Sequence, residues 1–108
     1  MTWAVAWRPA AERDLASCAA YIAEDNLDAA LRFIDAVEET VAALADNPLL
    51  GTATAFAHPE LAGLRRRVVH RFKRYLIFYR SEATPQTVEV VRILPGERDL
   101  PQALVEPG

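Results

Sequence analysis

The stretch that decides the fold is residues 26–48, NLDAALRFIDAVEETVAALADNP. Its apolar residues recur at alternating steps of three and four positions, which is the spacing of one face of an α-helix. That face consists of Leu27, Ala30, Ile34, Val37, Val41 and Leu44, and Phe33 and Leu31 widen it. We expect it to be fully buried. Asn26 is a favourable N-cap, and the Asn47-Pro48 pair ends the helix because a residue before proline avoids helical backbone angles.

A shorter helix is predicted before this one. Residues 3–8, WAVAWR, alternate as in a strand, and Pro9 then suits the first position of a helix because no backbone N–H is needed there. The apolar residues of the segment 9–25 fall on a single stripe: Ala11, Leu15, Cys18 and Ile22. Since the linker between the two helices is very short, they must run antiparallel as an αα-hairpin.

The rest of the chain predicts β-structure. Residues 48–63 contain two prolines and two glycines and are expected to form a loop. Strands are predicted at 64–69, 73–80 and 87–94, with 81–86 as a hairpin connection. We therefore expect one α+β domain over residues 1–108, of the order β-αα-βββ, in which the helical hairpin packs on a small, mainly antiparallel sheet. Residues 95–108 are expected to form an extended C-terminal tail.

Charge is divided unevenly along the chain. Residues 1–60 carry ten acidic and three basic residues, whereas residues 61–108 carry five acidic and nine basic ones. The single cysteine, Cys18, excludes an internal disulfide, and no His/Cys group has metal-ligand spacing. Neither a signal peptide nor an apolar run of about 18 residues is visible. We expect a cytoplasmic protein without metal, cofactor or membrane contact, whose C-terminal half faces a partner.

The densest candidate for binding is the segment 64–75, LRRRVVHRFKRY, with six bases among residues 65–74. Guanidinium groups hold phosphates or carboxylates through paired hydrogen bonds, so this segment suits an acidic peptide or a phosphate backbone. The candidates for partner binding are Arg65, Arg66, Arg67, Arg71, Lys73, Arg74, Arg92 and Arg98. The alternative is that alternate residues merely solvate the outer face of a strand and prevent aggregation.

Other residues with reactive side chains are expected to be structural. A lone histidine is more often a surface residue than a general base, and both His58 and His70 are isolated in the sequence. Tyr75 and Tyr79 fall on the same face of a predicted strand, which favours packing over catalysis. Cys18 lies on the apolar stripe of the first helix and is expected to be a buried thiol.

Seven segments, taken in order, resemble the RelE/ParE superfamily of toxins from type II toxin–antitoxin systems, in particular its ParE branch. They are RPAAERDL at 8–15, AYIAEDN at 20–26, AALRFIDAVEETVAAL at 29–44, NPLLG at 47–51, LRRRVV at 64–69, RYLIFYR at 74–80 and VEVVRILPGERDL at 88–100. The resemblance implies a plasmid-stabilisation toxin that arrests growth when free and is neutralised by a cognate antitoxin with an acidic, extended C-terminal segment. In the ParE branch the target is DNA gyrase; in the RelE branch it is mRNA on the ribosome.

The two branches differ in the residues that cut RNA. The RelE-like nucleases carry an arginine in the second strand of the C-terminal half, another after the glycine that follows the last strand, and a tyrosine further on. Those places hold Leu76, Arg98 and Leu104 here, so one of three matches. Without the usual acid and base, the resemblance favours the ParE branch, with no catalytic residues and no sequence-specific binding of nucleic acid.

Two alternatives stay open. A ribosome-dependent mRNA endonuclease would use Arg65, Arg67 and Arg98 to stabilise the charge on the phosphorane. A toxin homologue that has lost its activity would bind only its antitoxin, and this is suggested by Pro95, which stands where many ParE-like sequences have histidine.

Overall fold

The two helices begin and end close to the predicted positions. The structure is a computed structural model that describes residues 2–56, 58–96, 104 and 105. Helix α1 spans Pro9–Ala23 and helix α2 spans Leu27–Asp46. The prediction that Asn26 caps α2 is confirmed, since its side-chain oxygen accepts a hydrogen bond of 3.0 Å from the Ala29 N–H.

Five strands form one mixed sheet. They are β1 (Ala4–Trp7), β2 (Thr52–Ala53), β3 (Arg65–Val69), β4 (Phe72–Ala83) and β5 (Gln86–Pro95). Their spatial order is β1-β5-β4-β3-β2, with β1 parallel to β5 and the other neighbours antiparallel. The helical hairpin crosses from the first strand back over the sheet, which lets the first and last strands pair. The predicted α+β class and the β-αα-βββ order are confirmed, with β2 added to that order.

The predicted connections were too long. The segment 48–63, expected to be a loop, contains β2 and a short 3₁₀ helix at Pro59–Leu61. The hairpin connection expected at 81–86 is reduced to Thr84 and Pro85, because β4 and β5 stay paired as far as Ala83 and Gln86. Backbone hydrogen bonds extend a ladder without apolar side chains, so periodicity alone misses such exposed ends.

The buried face of α2 keeps the predicted Ala30, Val37, Val41 and Leu44 but is shifted toward Ala36 and Thr40. Leu27, expected in the core, is 65% exposed, and Ile34 is only partly buried. Phe33, expected to widen this face, is fully buried, with its ring centroid 5.3 Å from that of Phe72 and 4.9 Å from that of Tyr75. These aromatic contacts between the helix and the sheet favour an orientation of α2 that buries Phe33, because a large aromatic ring gains more free energy from burial than a leucine does.

Both faces of the sheet are covered by apolar residues. The face beneath the helices includes Tyr75, Ile77 and Tyr79 of β4. On the outer face a smaller cluster forms around Phe78 of β4; its other buried members are Leu61, Leu64, Val91, Leu94 and Leu104. Of the predicted extended tail, residues 97–103 and 106–108 lie outside those that the structure describes.

We expect the two neighbours at the centre of α2 to differ in their contribution to stability. Phe33→Ala should reduce the free energy of unfolding by about 3–5 kcal/mol, the usual cost of emptying a fully buried aromatic site. Ile34→Ala should cost less than about 2 kcal/mol, because part of its side chain already contacts water. Urea denaturation of both variants measures the difference, and the reverse ranking would show that the helix is wrongly oriented.

Candidate functional site

The three consecutive arginines of β3 are divided between the two faces of the sheet. Arg65 and Arg67 pair with residues of β4 that belong to the cluster beneath the helices, whereas Arg66 pairs with Phe78 of the outer cluster. Side chains of directly opposed residues lie on the same face of a sheet. The three arginines therefore belong to two different surfaces, because the Arg66 side chain projects from the face opposite to that of Arg65 and Arg67.

Arg65 and Arg67 donate to the segment that joins α2 to β2, residues 48–51, which we call the 48–51 loop. Arg65 Nη2 donates to the carbonyl oxygens of Leu49 at 3.2 Å and Gly51 at 2.6 Å. Arg67 Nη1 lies 3.5 Å from the carbonyl oxygen of the intervening residue. Both guanidinium groups thus bind the backbone of their own chain, and Arg65 is the more firmly held.

The phenol of Tyr79 holds the two ends of the same loop. Tyr79 is fully buried. Its hydroxyl donates to the Pro48 carbonyl oxygen at 2.7 Å and accepts from the Gly51 N–H at 2.9 Å. A buried hydroxyl is costly unless it is hydrogen-bonded, and here both its donor and an acceptor lone pair are used. Tyr79 is therefore a core residue, as expected, and its hydroxyl also fixes the position of the loop.

All backbone polar groups of the 48–51 loop are hydrogen-bonded. Asn47 satisfies the two that remain: its side-chain oxygen accepts from the Leu49 N–H at 3.2 Å, and its carbonyl accepts from the Leu50 N–H at 3.0 Å. Such completeness is usual for a buried backbone. Here it occurs in a loop whose Leu49 side chain is 71% exposed.

Gly51 is required by the close approach of the loop to the sheet. A Cβ atom at this position would lie 2.5 Å from the Tyr79 hydroxyl oxygen and 2.7 Å from the Arg66 carbonyl oxygen. Neither distance is compatible with van der Waals contact, and the second neighbour is backbone that cannot turn aside. Any side chain here would push the loop off its donors.

The remaining bases of the segment gather at the turn between β3 and β4. Arg71, Lys73 and Arg74 are exposed there. Arg71 has φ 68°, an uncommon value for a residue with a side chain. The turn is tied to α2 by the His70 N–H, which donates to the buried hydroxyl of Thr40 at 3.0 Å. The structure therefore brings together three of the predicted partner-binding residues as an exposed basic group at one end of the sheet.

Arg92 forms an ion pair within the protein. Its Nε and Nη2 donate to the two carboxylate oxygens of Asp14 at 2.6 and 3.0 Å, and both side chains are nearly buried. The same carboxylate accepts from the Ile93 N–H at 3.0 Å. Hydrogen bonding to Asp14 raises the pKa of Arg92 above its ordinary value, against the lowering effect of partial burial. Arg92 thus joins α1 to β5 and stands apart from the exposed bases.

Sequence reasoning missed Asp14, although its position gave an indication. It lies three residues after Ala11 and four before Cys18, so it falls on the apolar stripe of α1. A carboxylate on the buried stripe of a helix needs a partner, because an unpaired buried charge is very costly. The bases of the C-terminal half were the available partners.

Other predicted residues have structural positions or fall outside the described part. Arg98 lies outside the residues that the structure describes. His58 Nδ1 accepts from the Glu60 N–H at 3.2 Å and so caps the 3₁₀ helix. Among the described residues, no group of three His, Cys, Asp or Glu side chains could hold a metal ion, and no helix is long and apolar enough to cross a membrane. The arrangement can bind anions, but these residues assemble no acid–base pair.

Removal of the Tyr79 hydroxyl should destabilise the protein. In Tyr79→Phe the Pro48 carbonyl and the Gly51 N–H lose a buried partner, which should lower the free energy of unfolding by about 1–3 kcal/mol. Tyr21→Phe is the matched control, because Tyr21 is 59% exposed; it should change stability by less than about 0.5 kcal/mol. Equal effects of the two substitutions in thermal unfolding would contradict the role of the hydroxyl.

Two ion pairs among the described residues should differ in their contribution to stability. Asp14→Ala leaves Arg92 and the Ile93 N–H without the carboxylate and should cost about 3–5 kcal/mol. Glu89→Ala removes the pair of Glu89 with Arg8, an exposed contact of 3.1 Å, and should cost about 0–1 kcal/mol. Denaturant titrations of both variants measure this, and a small loss for Asp14→Ala would show that water replaces the carboxylate.

Comparison with known proteins identifies the family. The chain resembles a chain of the chromosomal ParDE toxin–antitoxin system of P. aeruginosa, with a TM-score of 0.69, 20% identity, and coverage of 89% of this chain and 98% of the other. It also resembles a chain of the toxin–antitoxin complex RelBE2 of Mycobacterium tuberculosis, with a TM-score of 0.57, 25% identity, and coverage of 88% and 99%. No curated protein sequence matches. The model of the family described as ParE toxin of type II toxin–antitoxin system, parDE, matches residues 5–100, and the chain belongs to that family.

Proposed function

We propose that this ParE-family toxin inhibits DNA gyrase by binding to it rather than by catalysis, and that an acidic, extended segment of a cognate antitoxin neutralises it. The observation that supports inhibition by binding rather than by catalysis is that the Arg65 guanidinium is already hydrogen-bonded within the chain. A nuclease of the alternative kind would need this guanidinium free for a phosphate, but it is engaged with two carbonyl oxygens of the 48–51 loop.

Further positions in the structure support a binding protein. Leu76, at the place where RelE-like nucleases carry an arginine, packs against the apolar cluster of the outer face. The hydroxyl of Tyr79 is occupied on both sides by the loop backbone. General acid–base catalysis requires groups within hydrogen-bond reach of the substrate, and neither residue can supply one.

The antitoxin part of the proposal rests on charge. The exposed bases Arg71, Lys73 and Arg74 lie at one end of the sheet, in the half of the chain that carries most of the basic residues. Exposed cations of this kind speed the association of an acidic partner, and the effect weakens as salt screens them. Both solved structures to which the chain is similar are described as a toxin–antitoxin system or complex.

Parallel assays with gyrase and with ribosomes distinguish the proposed function from its alternatives. The purified wild-type toxin should inhibit gyrase supercoiling and should leave ribosome-bound mRNA uncut in toeprinting. Cuts that appear with the wild type and disappear with Arg98→Ala would establish the endonuclease instead. Inactivity in both assays would favour a homologue that only binds its antitoxin.

A further inference from the structure

The 48–51 loop presents one apolar side chain on a fixed backbone. Single exposed leucines are common on protein surfaces and need no explanation. Leu49 differs because the carbonyl and N–H groups around it are held by Tyr79, Arg65, Arg67 and Asn47. A side chain on a backbone that is already ordered loses little entropy when a partner covers it, which is the property of an interface anchor.

A cavity of about 260 Å³ lies beside this loop, between α2 and the end of β3. Its apolar lining includes Ala43, Leu50 and Val69. Its charged lining is mostly basic: Arg67, Arg71 and Lys73 face a single acidic residue, Glu39. The cavity therefore favours a segment that carries carboxylates together with an apolar side chain.

The edge of β3 is also open along this cavity. Within the described residues, β2 pairs only with Arg65 and Arg66, so the remaining part of β3, residues 67–69, has no strand on that side. An unpaired strand edge is a template on which an extended peptide can form backbone hydrogen bonds. We call the combination of Leu49, the 260 Å³ cavity and this edge the β3-edge surface.

We propose that the β3-edge surface binds the acidic segment of the antitoxin, with Leu49 as the apolar anchor and Arg67, Arg71 and Lys73 as the partners of its carboxylates. This rests on the proposed neutralisation by an antitoxin and names its site. The other exposed leucines are poorer candidates: Leu27 and Leu31 lie on α2 beside Asp28 and Asp35, which would repel an acidic segment.

Binding of the antitoxin to two matched variants tests the site. The probe is the purified product of the reading frame directly upstream of the toxin's own, with kinetics measured at low and high salt. Leu49→Asp should weaken the complex about tenfold or more, mainly through faster dissociation. Leu27→Asp is the control, since Leu27 is similarly exposed and an aspartate is well tolerated in the first turn of a helix. It should change the affinity less than twofold.

A charge reversal tests the basic wall of the cavity. Lys73→Glu should slow association, and the slowing should fade as salt rises, because exposed charges act over about 8–10 Å at physiological ionic strength. Arg66→Glu, on the opposite face of the sheet, is its control and should slow association much less. Thermal unfolding of all four variants checks that each remains folded; because the substituted side chains are exposed, no loss of structure is expected.

The outcomes separate this proposal from the one on which it rests. If wild-type toxin forms no complex with the probe, neutralisation by that protein is refuted and the binding site with it. If wild type binds and Leu49→Asp binds equally well, the site is refuted while neutralisation stands. Unchanged antitoxin binding by Leu49→Asp together with lost inhibition of gyrase would overturn the site by assigning Leu49 to the target.

Discussion

The carboxylate of Asp14 binds the helical hairpin to the last strand at the point where the first strand ends. β1 pairs with β5 only as far as Val90. Beyond that residue the edge of β5 is met by α1, whose Asp14 accepts the Ile93 N–H and holds Arg92 in a two-pronged contact. The position of α1 on the sheet is fixed by this contact, and α2 follows through a short connection. A buried ion pair therefore anchors the helical layer to the last strand, beside the apolar contacts of the sheet's inner face.

The basic residues of the C-terminal half serve two purposes that a charge count does not separate. Arg65 and Arg92 stabilise the fold: Arg65 donates to the 48–51 loop, and Arg92 forms an ion pair with Asp14. Arg71 and Lys73 stand exposed at the turn between β3 and β4. The sequence predicts a basic binding segment, but which of its arginines bind within the fold depends on contacts between residues far apart in the chain. The alternation of side chains along β3 indicated only that neighbouring arginines would lie on opposite faces of the sheet.

How far the fold could be predicted follows from the range of the interactions. The limits of α2 were predictable, since Asn26 and the Asn47-Pro48 pair act locally. The rotation of its buried face was not, because apolar residues lie on both sides of the seam and a ring contact with Phe72 decided between them. β2 escaped prediction for a similar reason, since a Thr-Ala pair becomes a strand only when Arg65 and Arg66 lie opposite.

The two residues that hold the 48–51 loop through hydrogen bonds have a consequence for the evolution of the family. Arg65 and Tyr79 lie directly opposite each other on β3 and β4, and each binds two residues of the loop. Arg65 binds Leu49 and Gly51, and Tyr79 binds Pro48 and Gly51. A lineage that replaces one of them leaves backbone groups of the loop without a partner, so the effects of replacing the two residues are expected to be coupled rather than additive. Gly51 stays constrained when the tyrosine is replaced, because the Arg66 carbonyl oxygen would still lie 2.7 Å from a Cβ atom there. Arg65 and Tyr79 are therefore expected to change together among relatives, whereas Gly51 is expected to persist after either change.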